Sequence, residues 1–290
     1  MKLIVKFNLV LLLVFAVGFL ATGYVSNRLL QRNAREEVLE NARIMTEAAL
    51  AVRSYTVSQI KPLLDTQMKY SFLPQSVPAY SANEYFKQLR VKFPDYSYRE
   101  ATLNPTNPAN RANDWEADIV HYFQQNPERK ETVGVRDTPN GRVLYIARPM
   151  PIKDPRCLLC HDTPQMAPRT LIERYGSDNG FGWKVNDILT AQIVSAPMQL
   201  PVQRANTALA GFMLSLAAVF AIIFVSLNAM LVLLVVRPVN QLAKVANEVS
   251  LGNLEVPDFH PSGKDEIATL ADAFSRMRKS LKQAIKMLEV

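Results

Sequence analysis

Ala205 to Val236 reads ANTALAGFMLSLAAVFAIIFVSLNAMLVLLVV, and no charged side chain interrupts it. From Leu214 onward it is almost continuously apolar, and at ~1.5 Å rise per residue it reaches across a ~30 Å hydrocarbon core. This stretch makes the chain a membrane protein. Towards the N-terminus, Lys6 and Arg28 bracket a second uncharged stretch, whose apolar part runs from Phe7 to Val25. It reads as another span, with a signal peptide as the competing reading, because Lys2 and Lys6 precede it and Ala21-Thr22-Gly23 is a fair small-residue cleavage site. Two spans divide the 290 residues into an N-terminus at 1–6, a span at 7–27, an outer segment at 28–204, a span at 205–236 and an inner segment at 237–290.

The outer segment contains Cys157-Leu158-Leu159-Cys160-His161, which holds the only two cysteines of the chain. Two thiols at this spacing can add to the two vinyl groups of a porphyrin, and the adjacent imidazole can reach the iron, so the motif points to covalent attachment of one haem c. His161 is then the proximal ligand. Two other chemistries compete. A redox dithiol usually opens a helix in a thioredoxin-like βαβ pattern, which this sequence lacks. A structural zinc site requires four protein ligands, and Cys157, Cys160 and His161 leave one missing. Neither remaining histidine supplies it: His121 falls on the polar side of the expected helix Trp115–Gln125, and His260 lies beyond the second span.

The net charge of +7 raises the question of nucleic acid. Lysine and arginine are scattered, with several beside the spans, and no basic stripe carries interleaved aromatics, so membrane-surface contact is expected and no nucleic-acid partner. Flanking charge leaves the orientation open, since Lys2 and Lys6 oppose Arg28, Arg32 and Arg35. Haem attachment to this motif normally takes place outside the energy-transducing membrane, which places the outer segment in the periplasm and both termini in the cytoplasm of a two-pass inner-membrane protein.

Periodicity fills in the elements. Arg28 to about Ile60 reads as a long helix with apolar Ile44, Ala48, Ala51, Val52 and Tyr55, closed by Pro62. Further helices are expected at Ala82–Phe93, opened by Ser81, and at Trp115–Gln125, with Trp115, Ile119, Tyr122 and Phe123 as its apolar stripe. The turn-rich Asn104-Pro105-Thr106-Asn107-Pro108 lies between them. Thr132–Arg136, a turn at Thr138-Pro139-Asn140-Gly141 and Val143–Met150 make a β-hairpin leading into the cysteine motif, and Leu189–Ser195 makes another strand. The fold class is therefore α+β, and about 180 outer residues suit one domain. In the inner segment, Pro238, Leu242, Val245 and Val249, then Leu270, Phe274, Met277, Leu281, Ala284 and Leu288, keep a heptad rhythm on two helices. Gly252-Asn253-Leu254-Glu255-Val256-Pro257 separates them, and Ser262 with Asp265 reads as a capping box. A parallel homodimer would bury both stripes in a four-helix bundle.

On these marks Arg237–Val290 resembles a HAMP domain: a proline just after the span, the Gly252-Asn253-Leu254 connector start and Asp265-Glu266-Ile267 opening the second helix. Ala268 departs from the glycine that many members carry. The resemblance implies a dimer that relays motion from an outer sensor to an inner output module. The outer segment, about Arg28 to Pro201, resembles a family of haem-c sensor domains with a PAS-like fold. The marks are Val52-Arg53-Ser54-Tyr55 with Pro62-Leu63, Tyr98-Arg99-Glu100-Ala101 with the Asn104–Pro108 loop, the cysteine motif, and Tyr175-Gly176 followed by Gly180-Phe181-Gly182-Trp183. Some members place a cysteine of the first outer helix opposite the proximal histidine; this chain has none there.

The sixth iron position is thus open to a methionine, water or a diatomic gas. Met45, Met68, Met150 and Met166 are the candidates, with Met68 preferred because it follows the helix end, and Arg148 is a candidate partner for a haem propionate. The expected protein is a dimeric transmembrane sensor of redox state or gas with no catalytic activity, paired through HAMP and the outer helix. No kinase or cyclase module follows before Val290, so a separate cytoplasmic output partner is expected. A membrane-anchored electron-carrying cytochrome is the alternative, although it leaves the second span and the heptads without a role.

Overall fold

The computed structural model describes residues 3–257 and 265–288, so His260 and Ser262 lie outside the described residues. Contacts divide the chain into two units, Asn27–Ala208, and Met1–Ser26 with Leu209–Val290. In chain order the elements are α1 (Leu3–Tyr55), α2 (Lys61–Met68), α3 (Pro78–Lys92), β1 (Ser97–Thr102), α4 (Asp114–Gln125), β2 (Thr132–Thr138), β3 (Gly141–Pro151), α5 (Leu158–His161), α6 (Arg169–Tyr175), β4 (Ile188–Pro197), α7 (Gln199–Met230), α8 (Arg237–Ser250) and α9 (Glu266–Leu288).

The unit Asn27–Ala208 is built on one antiparallel sheet of order β1-β4-β3-β2. Alternation sends Leu144, Ile146, Val194 and Tyr98 to one face, where they pack with Val38, Ala42 and Ala49 of α1 and Ala82 and Phe86 of α3. The opposite face carries Ala101, Ala147, Ala191 and Ile193 against Ile119, Val120 and Phe123 of α4. Asn113 caps α4 in a reciprocal box with Glu116: its side chain accepts the Glu116 N–H, and the Glu116 carboxylate accepts the Asn113 N–H. His121 is exposed on α4, as its helical position implies.

The structure corrects three local expectations. The buried face of α1 is Ala34, Val38, Ala42, Thr46 and Ala49, whereas Ile44 and Tyr55 are more than half exposed. Small side chains let the helix backbone approach the sheet, so the stripe is set by alanine and not by the largest apolar residues. Pro62 does not end the helix. A π-turn at Thr56–Ile60 runs directly into α2, with Lys61 N–H donating to Thr56 O, and this wider turn accommodates Pro62 within the continuing helix. Likewise α3 starts at Pro78, so Ser81 lies within it, donating its hydroxyl to the Gln75 carbonyl. β1 is absent from the periodicity because Arg99 and Glu100 break its apolar alternation.

In the other unit, α1 and α7 each contain a stretch long and apolar enough to cross a membrane. Phe15 stacks on Phe220 at 4.7 Å. A π-turn at Leu231–Val236 leads into α8, with Pro238 in the first turn. The C-terminus of α8 is a Schellman motif: Asn253 N–H donates to Glu248 O, Gly252 N–H donates to Val249 O, and Gly252 takes φ +93°. The Gly-Asn pair of the connector is thereby explained. Asp265 caps α9, its carboxylate accepting the Ala268 N–H at 2.9 Å. Leu242 and Val249 of α8 and Ala268 and Ala271 of α9 are buried, while Leu270, Met277 and Leu281 remain exposed on the single chain.

Candidate functional site

A 3₁₀ turn at Pro155–Cys157 runs into α5, so Cys157 and Cys160 sit one helical turn apart. Asp154 fixes the start, accepting the Arg156 N–H at 2.9 Å and pairing with its guanidinium at 2.6 Å. The thiols are free, Cys157 exposed and Cys160 half-buried. Burial is the largest influence on each and pushes both thiols up, the reverse of the activation a catalytic dithiol uses. Among the described residues no group of three His, Cys, Asp or Glu is placed to hold a metal ion, so a protein-only zinc centre finds no ligand set.

His161 is held from several sides. Its Nδ1 lies 2.8 Å from the Gly180 carbonyl and 3.3 Å from Thr106 Oγ1, and its ring stacks on Trp183 with centroids 3.9 Å apart and planes 6° from parallel. Donation from Nδ1 to the carbonyl leaves Nε2 with its lone pair, the arrangement of a histidine prepared for a metal. Burial lowers the His161 pKa, which also favours the neutral ring.

Two loops build this holder. Asn104 Oδ1 accepts the Gly180 N–H at 3.0 Å and its amide donates to Phe181 O at 3.3 Å, while Gly182 N–H donates to Asp162 O at 2.7 Å. Gly180 is at φ +87°, and a Cβ there would overlap both the side chain and backbone of Thr106. Three separated motifs, Asn104–Pro108, the cysteine motif and Gly180–Trp183, therefore meet at one imidazole. Each motif stands out in sequence, but nothing local to it gives Asn104, Thr106, Gly180 or Trp183 a task. The Trp183 Nε1 is buried and has no hydrogen-bond partner among the described residues.

The remaining expectations fare differently. Arg148 pairs with two carboxylates, donating to Glu47 at 2.6 Å and to Glu131 at 3.0 Å, contacts that a haem propionate would have to share or displace. The Met68 sulfur accepts the Leu73 N–H at 3.1 Å and lies 3.4 Å from Ser76 Oγ, contacts it would give up on binding iron. Met45 packs in the core between α1 and the sheet, and Met166 is exposed. Arg53 and Lys61 lie close enough to Cys157 to bear on its charge. Arg53 in turn donates to Glu100 at 2.5 Å, Tyr98 donates to the same carboxylate at 2.7 Å, and Gln192 donates to the Tyr98 oxygen at 3.2 Å. Glu100, Tyr98 and Gln192 are all buried.

An α+β sensor domain with candidate membrane helices and a HAMP region defines the class. The family model described as Tll0287-like matches residues 31–197, more than half of the chain, and that of the HAMP domain matches residues 227–283. The chain belongs to the Tll0287-like family and carries a HAMP domain after it. Among solved structures, the crystal structure of the cyanobacterial haem-protein Tll0287 aligns at 18% identity over 56% of this chain and 95% of that chain, with a TM-score of 0.43. No curated protein matches.

Proposed function

We propose that the protein is a haem-c sensor of redox state or of a diatomic gas, which relays its signal through the HAMP domain to a cytoplasmic output partner. The observation that carries this reading is the His161 geometry: Nδ1 bound to Gly180, Nε2 left available, and two free thiols within the preceding turn. Cys157 and Cys160 would hold one haem c by thioether bonds and His161 would be its proximal ligand. When bound, the cofactor would supply a one-electron couple and an iron able to take a diatomic gas.

Membership of the family supports the reading, since the protein that gives the family its name is a haem-protein. The absence of a metal-ligand group among the described residues and the burial that raises both thiols count against the zinc and dithiol alternatives. The protein has no catalytic task of its own in this account. It sits in the inner membrane with Asn27–Ala208 in the periplasm and the HAMP helices in the cytoplasm. Two copies pair through the exposed Leu270, Met277 and Leu281 stripe.

Arg53 of α1 ties that helix to Glu100 of the sheet, next to the buried Tyr98 and Gln192. An electron carrier would have no use for a HAMP domain.

Optical spectra of the full chain, oxidised and reduced, with and without carbon monoxide or nitric oxide, test the reading. Gas-induced shifts of a Soret band are expected for a gas sensor. A redox-dependent band indifferent to gas rules out the gas sensor and favours redox sensing or electron transfer, and a spectrum without haem absorption defeats the proposal.

A further inference from the structure

The sheet face under α4 is covered only in part. Ile119, Val120 and Phe123 cap one end, and beyond Trp115 the other end opens into a cavity of about 300 Å³. Ser97, Val143, Ile193 and Ser195 form its floor, from three neighbouring strands. The volume is at the lower bound of small-molecule sites.

The walls are cationic. Arg136 lays its guanidinium over the Trp115 ring at 4.0 Å, which covers one face and leaves the N–H edge. It is half-buried and has no acidic partner among the described residues. Arg90, at the end of α3, lines the same cavity and also has no acidic partner among the described residues. The third arginine is already neutralised, since Arg99 pairs with the buried Glu116 at 3.1 Å. A half-buried guanidinium without a counter-ion is costly, and a planar carboxylate matches its N–H fork. Asp95 on the rim repels a second negative charge.

We propose that this cavity binds a small planar monocarboxylate, whose carboxylate pairs with Arg136 and Arg90 and whose apolar body lies against Trp115, Val143 and Ile193. The outer domain then takes two inputs, one at His161 and one on the α4 face of the sheet. The second does not depend on haem.

Calorimetric titration of benzoate, acetate and inorganic phosphate into the full chain in detergent tests the site. One saturable benzoate site per chain is expected, with acetate at least about tenfold weaker because it lacks the apolar body, and with no phosphate binding. Arg136→Gln should weaken benzoate by about tenfold or more, the scale of losing one charge-assisted pair. Arg90→Gln, on an exposed side chain that no core contact requires, should weaken it too. Absence of saturable benzoate binding up to about 10 mM, where affinity is negligible, overturns the proposal. So does phosphate or acetate binding as tightly as benzoate, or benzoate affinity unchanged in a folded Arg136→Gln chain and in Arg90→Gln.

Discussion

His161 owes its orientation to residues that have no metal chemistry of their own. Gly180 is the most exacting, because it combines φ +87° with a backbone that meets Thr106. Gly180→Ala should cost about 1–3 kcal/mol, the range for a residue forced into an unfavourable backbone region, and lower the melting temperature of the full chain; an unchanged melting curve would show that the loop is not built as described. Tyr98 allows a prediction on pH. Burial, then the Glu100 charge, raises its pKa above the ordinary value near 10. The folded state therefore holds that proton more tightly, so the contribution is complete below about pH 10 and declines as pH rises beyond it. Tyr98→Phe should be less stable than the parent at pH 7, with the gap narrowing above about pH 10 in denaturant melts; a gap independent of pH would remove Tyr98 from the network.

Among the elements, α1 is tied to the sheet by small-residue packing and by the Arg53–Glu100 pair. Arg53→Met leaves a carboxylate that is 4% exposed without its cation, at a cost of about 3 kcal/mol, and Arg53→Met with Glu100→Gln should recover most of it. Equal losses in the single and double variants would mean that the pair is not coupled. Asn113→Ala, which removes the cap of α4, should cost about 1 kcal/mol by the same measurement. The amphipathic α4, the hairpin and the β4 strand are legible in sequence because their periodicities are local. β1 is not, because Glu100 points inward and is satisfied by Arg53 of α1, far away in the chain, together with Tyr98 of the same strand. Nor is the continuation through Pro62, since only the preceding π-turn shows how the backbone accommodates it. The site follows the same rule: Cys157, Cys160 and His161 can be read from spacing, whereas the holder formed by Thr106, Gly180 and Trp183 depends on loops far apart in sequence.

For the whole molecule, the two membrane stretches and the HAMP region are legible as uncharged runs and heptads. What the periodicity cannot assign is which apolar positions serve the chain itself. Leu242, Val249, Ala268 and Ala271 are buried within one chain, whereas Leu270, Met277 and Leu281 are exposed and form the stripe through which pairing is proposed. Met277→Glu should weaken that pairing, read as a lower mass in detergent-corrected light scattering, and no change in mass would place the dimer contact elsewhere. The proposed function rests on a covalent cofactor at the cysteine motif. The most direct measurement is the haem absorption and peroxidase stain that remain with the chain after denaturation, in the parent and in Cys157→Ala/Cys160→Ala. Haem should be retained by the denatured parent and lost from the double variant; a parent without bound haem, or a double variant that keeps it, would overturn the proposed attachment.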